Sequence, residues 1–447
     1  MQTDLIIIGA GPGGYETALV AANRGLTVTL VEASEVGGTC LNEGCIPTKA
    51  FCRSAQIAED FAKASEFGFS DADFKLDFAK VAERKDMVVG QLREGVESLL
   101  GNPKINLVRG EASLVDDHTI EVGGERYSSE WIIVATGSVS ASLPIEGIDL
   151  PGVISSREML ALKEVPKRLC VVGAGVIGLE FASIFKSFGS EVSVVEYAKE
   201  VLPHFDSDIA KRLRQSLGKR GIEITTQAEV KRISETADGL EVTYSRKGKE
   251  ATIVADKVLV AVGRKPRTEG LNLETVGVGY DRKGIKVDEN MRTSVPNIFA
   301  IGDANGLMML AHAATYQGLR ALNTICGTPD KLRLDVMPAA VFTMPELATV
   351  GLTEDACKEQ GLQYQCRKSF YRANGKALCM GEPDGICKMI IGENGKLLGC
   401  HIIGAHSADM IHEFTALMTS GCDLEQLQAS IHVHPSLSEV IQSAAHQ

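Results

Sequence analysis

The chain has 447 residues, 44% hydrophobic and 23% charged, the composition of a globular protein. That length suits about three domains, with cores that need no disulfide staples. The 46 Lys and Arg against 58 Asp and Glu leave a net charge of −12, which argues against nucleic acid or an anionic membrane as the main partner. No predominantly apolar run of roughly 18 residues occurs, so no membrane-spanning helix is expected. Met1-Gln2-Thr3-Asp4 leads straight into an apolar run without a basic leader or cleavage site, and a cytoplasmic location is expected. The eleven cysteines are mostly scattered, unlike a secreted disulfide framework.

The run Leu5-Ile6-Ile7-Ile8 reads as a buried strand of a parallel sheet. It enters G-x-G-x-x-G at Gly9, Gly11 and Gly14, followed by a helical stretch, Tyr15 to Asn23, and a second strand, Leu26 to Val31, that ends at Glu32. In such a unit the first glycine makes the turn, the second lets backbone approach a pyrophosphate, and the third lets helix pack on strand. The helix N-terminus offers free N–H groups to phosphate, and Glu32 can accept hydrogen bonds from ribose hydroxyls.

Next comes Gly37-Gly38-Thr39-Cys40-Leu41-Asn42-Glu43-Gly44-Cys45-Ile46-Pro47-Thr48-Lys49. Two cysteines five apart can bridge if the backbone turns suitably. A zinc half-site and two buried thiols are the alternatives. Zinc sites usually add a second ligand pair, and no matching histidine pair lies nearby, so no metal is expected. A position just after a dinucleotide-binding unit favours redox chemistry, with Lys49 a cation able to stabilise a thiolate.

The first pattern then recurs. Arg168 to Val172 precedes Gly173, Gly175 and Gly178; a helical stretch runs Leu179 to Phe188, and the strand from Glu191 to Val195 ends at Glu196. Glu32 lies 23 residues after Gly9, and Glu196 lies 23 after Gly173. One such loop is a weak signal. Two, each between apolar runs and each with an acid at the same offset, indicate two dinucleotides rather than two unrelated glycine-rich turns. A carboxylate at 196 binds a ribose 2′-hydroxyl and repels a 2′-phosphate, and no arginine among Tyr197, Ala198 and Lys199 would hold one, which favours NAD over NADP.

Near the C-terminus stands His432-Val433-His434-Pro435-Ser436-Leu437-Ser438-Glu439. A carboxylate five residues from a histidine can fix its tautomer and raise its basicity, which suits thiol chemistry near neutral pH. A surface helix cap with incidental histidines is the other reading.

Together these residues resemble the pyridine nucleotide–disulfide oxidoreductase family over nearly the whole chain. Gly38 to Lys49 is close to that family's active-site signature. Ala135-Thr136-Gly137 and Ile301-Gly302-Asp303 resemble its other flavin markers, Ala261-Val262-Gly263-Arg264 the end of its nicotinamide domain, and His434 to Glu439 its C-terminal catalytic motif. Leu310-Ala311-His312, Gly175 to Glu180 and Glu196 are most similar to the members that oxidise dihydrolipoamide. Departures are the somewhat short chain, Ala313 in place of a basic residue, and Glu16 on the first helix.

The resemblance implies an α/β fold with two Rossmann-like dinucleotide-binding domains, for FAD and NAD, plus a C-terminal α+β dimerisation domain. It places the FAD domain at 1–145 and 265–335, the NAD domain at 146–264 and the interface domain at 336–447. A hairpin around Glu393-Asn394-Gly395-Lys396 belongs to the last. Cys40 and Cys45 become a redox-active disulfide, Cys40 facing substrate and Cys45 facing flavin. His434, oriented by Glu439, becomes the base, acting in the partner of a homodimer. Lys49, paired with Glu180, tunes the flavin. Thr39, Thr136, Gly137, Gly302, Asp303, Ala311 and the backbone of Ala112 join Glu32 in holding FAD, while Val230, Ala261 and Gly263 join Glu196 in holding NAD. The implied substrate is dihydrolipoamide or a lipoylated domain, and the implied partner an acyltransferase core of a 2-oxoacid dehydrogenase complex, or a glycine cleavage system. An NADPH-dependent reductase of another disulfide, such as glutathione, a scaffold subunit without catalysis, and a flavin-binding redox sensor are the competing readings.

Overall fold

A computed structural model describes residues 2–70 and 75–447. The chain folds into two compact units. One comprises residues 1–50, 80–141 and 263–334; the other comprises 51–79, 142–262 and 335–447. The segments expected as the NAD and interface domains thus fall in one unit, which also takes residues from the segment expected as part of the FAD domain.

The first unit is built on a sheet in which Ile105–Arg109, Val28–Glu32, Gln2–Ile8, Glu125–Val134 and Ile298–Ala300 run parallel in that spatial order. Thr119–Val122 and Ala112–Leu114 extend the long strand as an antiparallel edge. The central strands are apolar on both faces because both faces are covered: Leu5 and Ile7 pack in one core and Ile6 and Ile8 in another. Helix Pro12–Asn23 lies on one face against helix Ala311–Ile325. Proline at its start is favourable, since the first helical N–H has no intrahelical partner.

The second unit repeats the plan. Ile222–Thr226, Glu191–Glu196, Arg168–Val172, Lys257–Val260 and Val153–Ile154 form a parallel sheet in the same third-second-first-fourth order, and helix Val176–Ser187 follows its central strand. An antiparallel sheet of Ala228–Thr236, Gly239–Arg246 and Lys249–Ala255 is inserted before its fourth strand. The C-terminal part of this unit is a five-stranded antiparallel sheet in the order Ala339–Val341, Leu347–Gly351, Leu397–Ile403, Ile386–Gly392, Tyr364–Phe370. Helices Ser407–Thr419 and Glu439–Ala445 cover it. The expected hairpin joins Ile386–Gly392 to Leu397–Ile403, with Asn394 and Gly395 at φ values of 55° and 75°, the left-handed region such turns require. No helix among the described residues is long and apolar enough to cross a membrane.

Candidate active site

The two glycine loops can be compared atom by atom. Gly9 has φ +106°, and a Cβ there would meet the Ala135 carbonyl oxygen at 2.3 Å; a Cβ on Gly14 would meet the Gly9 oxygen at 1.8 Å. Gly173 repeats the first relation against Ala261 oxygen at 2.5 Å, and Gly178 the second against Gly173 oxygen at 2.1 Å. The chain itself therefore demands the first and third glycines of each loop. The middle ones differ. Gly11 and Gly175 have extended φ values of −68° and −75° that any residue can adopt. A Cβ on Gly11 would meet only Gly38 Cα at 3.9 Å, and one on Gly175 would meet nothing within 4 Å. Each begins a helix whose N-terminus has no side-chain cap. Open space beside uncapped N–H groups fits the pyrophosphate of a dinucleotide at both loops.

Glu32 accepts from Ala10 N at 2.7 Å and Ser34 N at 2.8 Å. Glu196 accepts from Ala174 N at 2.5 Å and Ala198 N at 2.6 Å. Each carboxylate is thereby fixed on its loop, while its remaining lone pairs can serve ribose hydroxyls.

The cysteine pair sits on a break between two helices. Gly37 and Gly38, at φ 90° and 57°, turn the chain into the short helix Gly38–Glu43, which carries Thr39 and Cys40. Asn42 Nδ2 donates to the carbonyls of Val36 and Gly38, both at 3.0 Å, and ties this turn down. Gly44 breaks the helix, and Cys45 starts the 18-residue helix Cys45–Ala62. Pro47 is tolerated in its first turn. Cys40 and Cys45, both thiols in this structure, share a hydrogen bond. That bond, burial and the neighbouring sulfur push the Cys40 thiol up, against the pull of the Lys49 ammonium. The long helix places its positive end at Cys45, which favours negative charge on that sulfur.

Elsewhere in the first unit, Gly302 and Asp303 open a helical turn. Gly302 N donates to Gln317 Oε1 at 2.7 Å. Ser138 Oγ donates to Asp303 Oδ2 at 2.5 Å and accepts from Arg264 Nε at 2.7 Å. Thr136 Oγ1 donates to Arg267 O at 2.7 Å, Gly137 has φ +72°, and Gly263 has φ +117°. Ala311 starts its helix and Ala112 lies in the edge strand. Gln317 and Ser138 stand in no motif that the sequence offers, and Arg264 stands there only as the end of the nicotinamide-domain motif; Ser138 meets Asp303 and Arg264 across 165 and 126 residues.

In the second unit, Glu180 accepts from Phe342 N at 2.9 Å. Val230 lies at a register shift in the antiparallel sheet, and Ala261 N donates to Val172 O at 2.8 Å beside the second glycine loop. His434 Nδ1 meets Glu439 Oε1 at 2.8 Å, and Glu439 Oε2 accepts from Ser436 N at 2.8 Å. The Ser436 N–H and the histidine hold the Glu439 carboxyl below its usual range. The His434 side chain is 79% exposed, leaving Nε2 open. No group of three or more His, Cys, Asp or Glu among the described residues could hold a metal ion.

A nucleotide-loop duplication with a cysteine pair beside one loop defines a flavoprotein-type disulfide oxidoreductase. The profile described as pyridine nucleotide-disulphide oxidoreductase matches residues 3–318, and that of the family's dimerisation domain matches 337–445. The chain belongs to this family. It is 41% identical to dihydrolipoyl dehydrogenase of Bacillus subtilis, covering 100% of this chain and 96% of that one. It is 39% identical to dihydrolipoyl dehydrogenase of Chlamydia muridarum, covering 98% and 95%. Among solved structures, LpdA from Mycobacterium tuberculosis superposes with a TM-score of 0.92 at 28% identity, covering 99% of both chains. The Cu(II) complex of the HOCl-induced flavoprotein disulfide reductase RclA from Escherichia coli gives 0.89 at 32% identity, covering 100% of this chain and 99% of that one.

Proposed function

We propose that the chain oxidises dihydrolipoamide, free or on a lipoylated domain, to lipoamide with reduction of NAD+, as a homodimer. The observation that carries the reading is the hydrogen-bonded Cys40–Cys45 pair, in a chain with two loops that each leave room for a dinucleotide and about 40% identical to dihydrolipoyl dehydrogenases over their length. Gly9, Gly11, Gly14, Glu32, Thr39, Lys49, Ala112, Thr136, Gly137, Gly302, Asp303 and Ala311 would hold FAD, which supplies the two-electron link between dithiol and nicotinamide. Gly173, Gly175, Gly178, Glu180, Glu196, Val230, Ala261 and Gly263 would hold NAD, Glu196 rejecting a 2′-phosphate.

In the dithiol half, Glu439 keeps the His434 proton on Nδ1, so Nε2 takes the proton from a substrate thiol. The thiolate attacks Cys40 Sγ of the oxidised pair; the sulfur–sulfur bond breaks and Cys45 leaves as thiolate at its helix N-terminus. The second substrate thiol displaces Cys40, its proton passing to the released Cys40 sulfur, and the cyclic disulfide departs. The dimerisation-domain match supports a second copy as the source of His434 for each cysteine pair. An acyltransferase core is the proposed docking partner, and the cytoplasm the proposed compartment.

The test is a paired assay of the flavin-loaded protein with dihydrolipoamide and either NAD+ or NADP+, following reduced nicotinamide. Turnover with NAD+ alone is expected. Oxidation of NADPH by another disulfide such as glutathione, without dihydrolipoamide turnover, would keep the fold and replace the substrate.

A further inference from the structure

The motif near the C-terminus contains two histidines, and the mechanism uses one. Each has its own carboxylate. His434 takes Glu439 on the following helix, and His432 Nε2 meets Glu413 Oε1 of helix Ser407–Thr419 at 2.7 Å. Their exposures are opposite: the His432 side chain is 7% exposed and that of His434 79%. Between Ser430 and Ser436 the chain has no regular secondary structure. Ile431 and Val433 project outward, 97% and 78% exposed. His432 therefore ties the segment ahead of His434 to helix Ser407–Thr419, as neither exposed neighbour does. Its other nitrogen, Nδ1, faces the Ser430 carbonyl at 3.2 Å. Beyond His434 the chain is fixed again, where Asn374 Nδ2 donates to Ser436 O at 2.9 Å and Ser436 N to Glu439.

We infer that His432, pegged to Glu413, is a positioning residue that fixes the N-terminal side of the segment presenting His434. The base is thus held at two points. Glu439 orients the ring, and the peg places the backbone that carries it. Neither Glu413 nor His432 touches the reacting atoms. The inference rests on the proposed role of His434, and a misplacement of about 1 Å at a base costs roughly 10- to 100-fold in rate.

The experiment compares Glu413→Ala and Glu413→Gln with the wild-type holoenzyme. Three rates are read: dihydrolipoamide oxidation by NAD+, reduction of the oxidised protein by dithiothreitol in stopped flow, and NADH oxidation by ferricyanide, which needs no thiol base. Glu413→Ala should slow both dithiol reactions about 10-fold or more through kcat, leave KM within about twofold, and leave the ferricyanide rate and melting temperature unchanged. Glu413→Gln should recover most of the loss, because its carbonyl oxygen still accepts from Nε2. Full dithiol activity in Glu413→Ala, or parallel loss of the ferricyanide rate and flavin, overturns the inference. If the wild-type protein is reduced by dithiothreitol but not by dihydrolipoamide, the substrate proposal falls and the dithiothreitol comparison alone decides on the peg. If dithiothreitol does not reduce it either, both fall.

Discussion

Gly9 and Gly11 stand two positions apart in one loop, and their substitution separates folding from binding. Alanine at Gly9 must adopt φ +106° and meets a backbone oxygen, so Gly9→Ala should destabilise the apoprotein by about 2 kcal/mol or more in thermal or urea denaturation. Gly11→Ala should leave the apoprotein as stable as wild type yet yield protein without flavin, seen as lost absorbance near the visible flavin bands. Gly175→Ala should retain flavin and reduction by dithiol while raising KM for NAD+ by about tenfold or more, since a methyl there displaces ligand and not protein. The two sulfurs separate in the same way. Cys45 is the first residue of a long helix, and Cys40 lies within a short one. On reduction, Cys40→Ser should therefore keep the long-wavelength absorbance of a thiolate beside flavin, and Cys45→Ser should lose it.

At the scale of elements, three pieces of the second unit meet at Lys388. Its ammonium, 1% exposed on strand Ile386–Gly392, donates to Asp206 Oδ1 and Oδ2 at 2.8 and 2.9 Å and lies 2.7 Å from Glu354 Oε2. Asp206 also caps helix Ser207–Lys219, and it accepts from Glu354 N at 3.0 Å, at the start of helix Glu354–Glu359. Burial pushes the Asp206 carboxyl up, but His401, the lysine and the Glu354 N–H together outweigh it and leave it below the usual range. Glu354 is held down to about 2 by hydrogen bonds from Lys358 and Lys388. Both folded-state values are depressed, so this stabilisation is present above the ordinary carboxylate range near pH 4 and is lost as pH falls toward about 2. Lys388→Met leaves Asp206 buried without its counter-charge and should cost about 3–5 kcal/mol in urea denaturation at neutral pH. Asp206→Asn added to Lys388→Met should recover part of that, and the double variant should show a flatter stability profile below pH 4 than wild type.

At the scale of the molecule, the proposed dimer with shared sites makes a quantitative claim. Cys40→Ser and His434→Gln should each be inactive with dihydrolipoamide. Equal mixing after subunit exchange should restore about a quarter of wild-type activity, because half the dimers then carry one intact site. No recovery would place both groups of each site in one chain. Much of this molecule was legible in the sequence wherever chemistry is written at short range. The glycine spacing located both strand–loop–helix turns, the five-residue spacing exposed the cysteine pair, and Asn394-Gly395 marked the hairpin. Contacts that close over long separations left no such mark. Ser138 finds Asp303 165 residues away, and Lys388 finds Asp206 182 residues away. A lysine in an apolar strand reads only as an interruption until its acids arrive from other elements. Likewise His432 reads as incidental until Glu413 is seen beside it.

The two glycine loops, though proposed to serve different cofactors, agree in the contacts that fix their first and third glycines and in the acid that accepts from two backbone amides. On those contacts neither loop should distinguish a flavin from a nicotinamide; each should read the adenosine diphosphate half that the two molecules have in common. Choice between them must be made by whatever surrounds the other half. ADP should then compete with NAD+ in the working enzyme, and with FAD during reconstitution of the apoprotein. A loop copied from one position to the other should still bind whichever cofactor its new surroundings select.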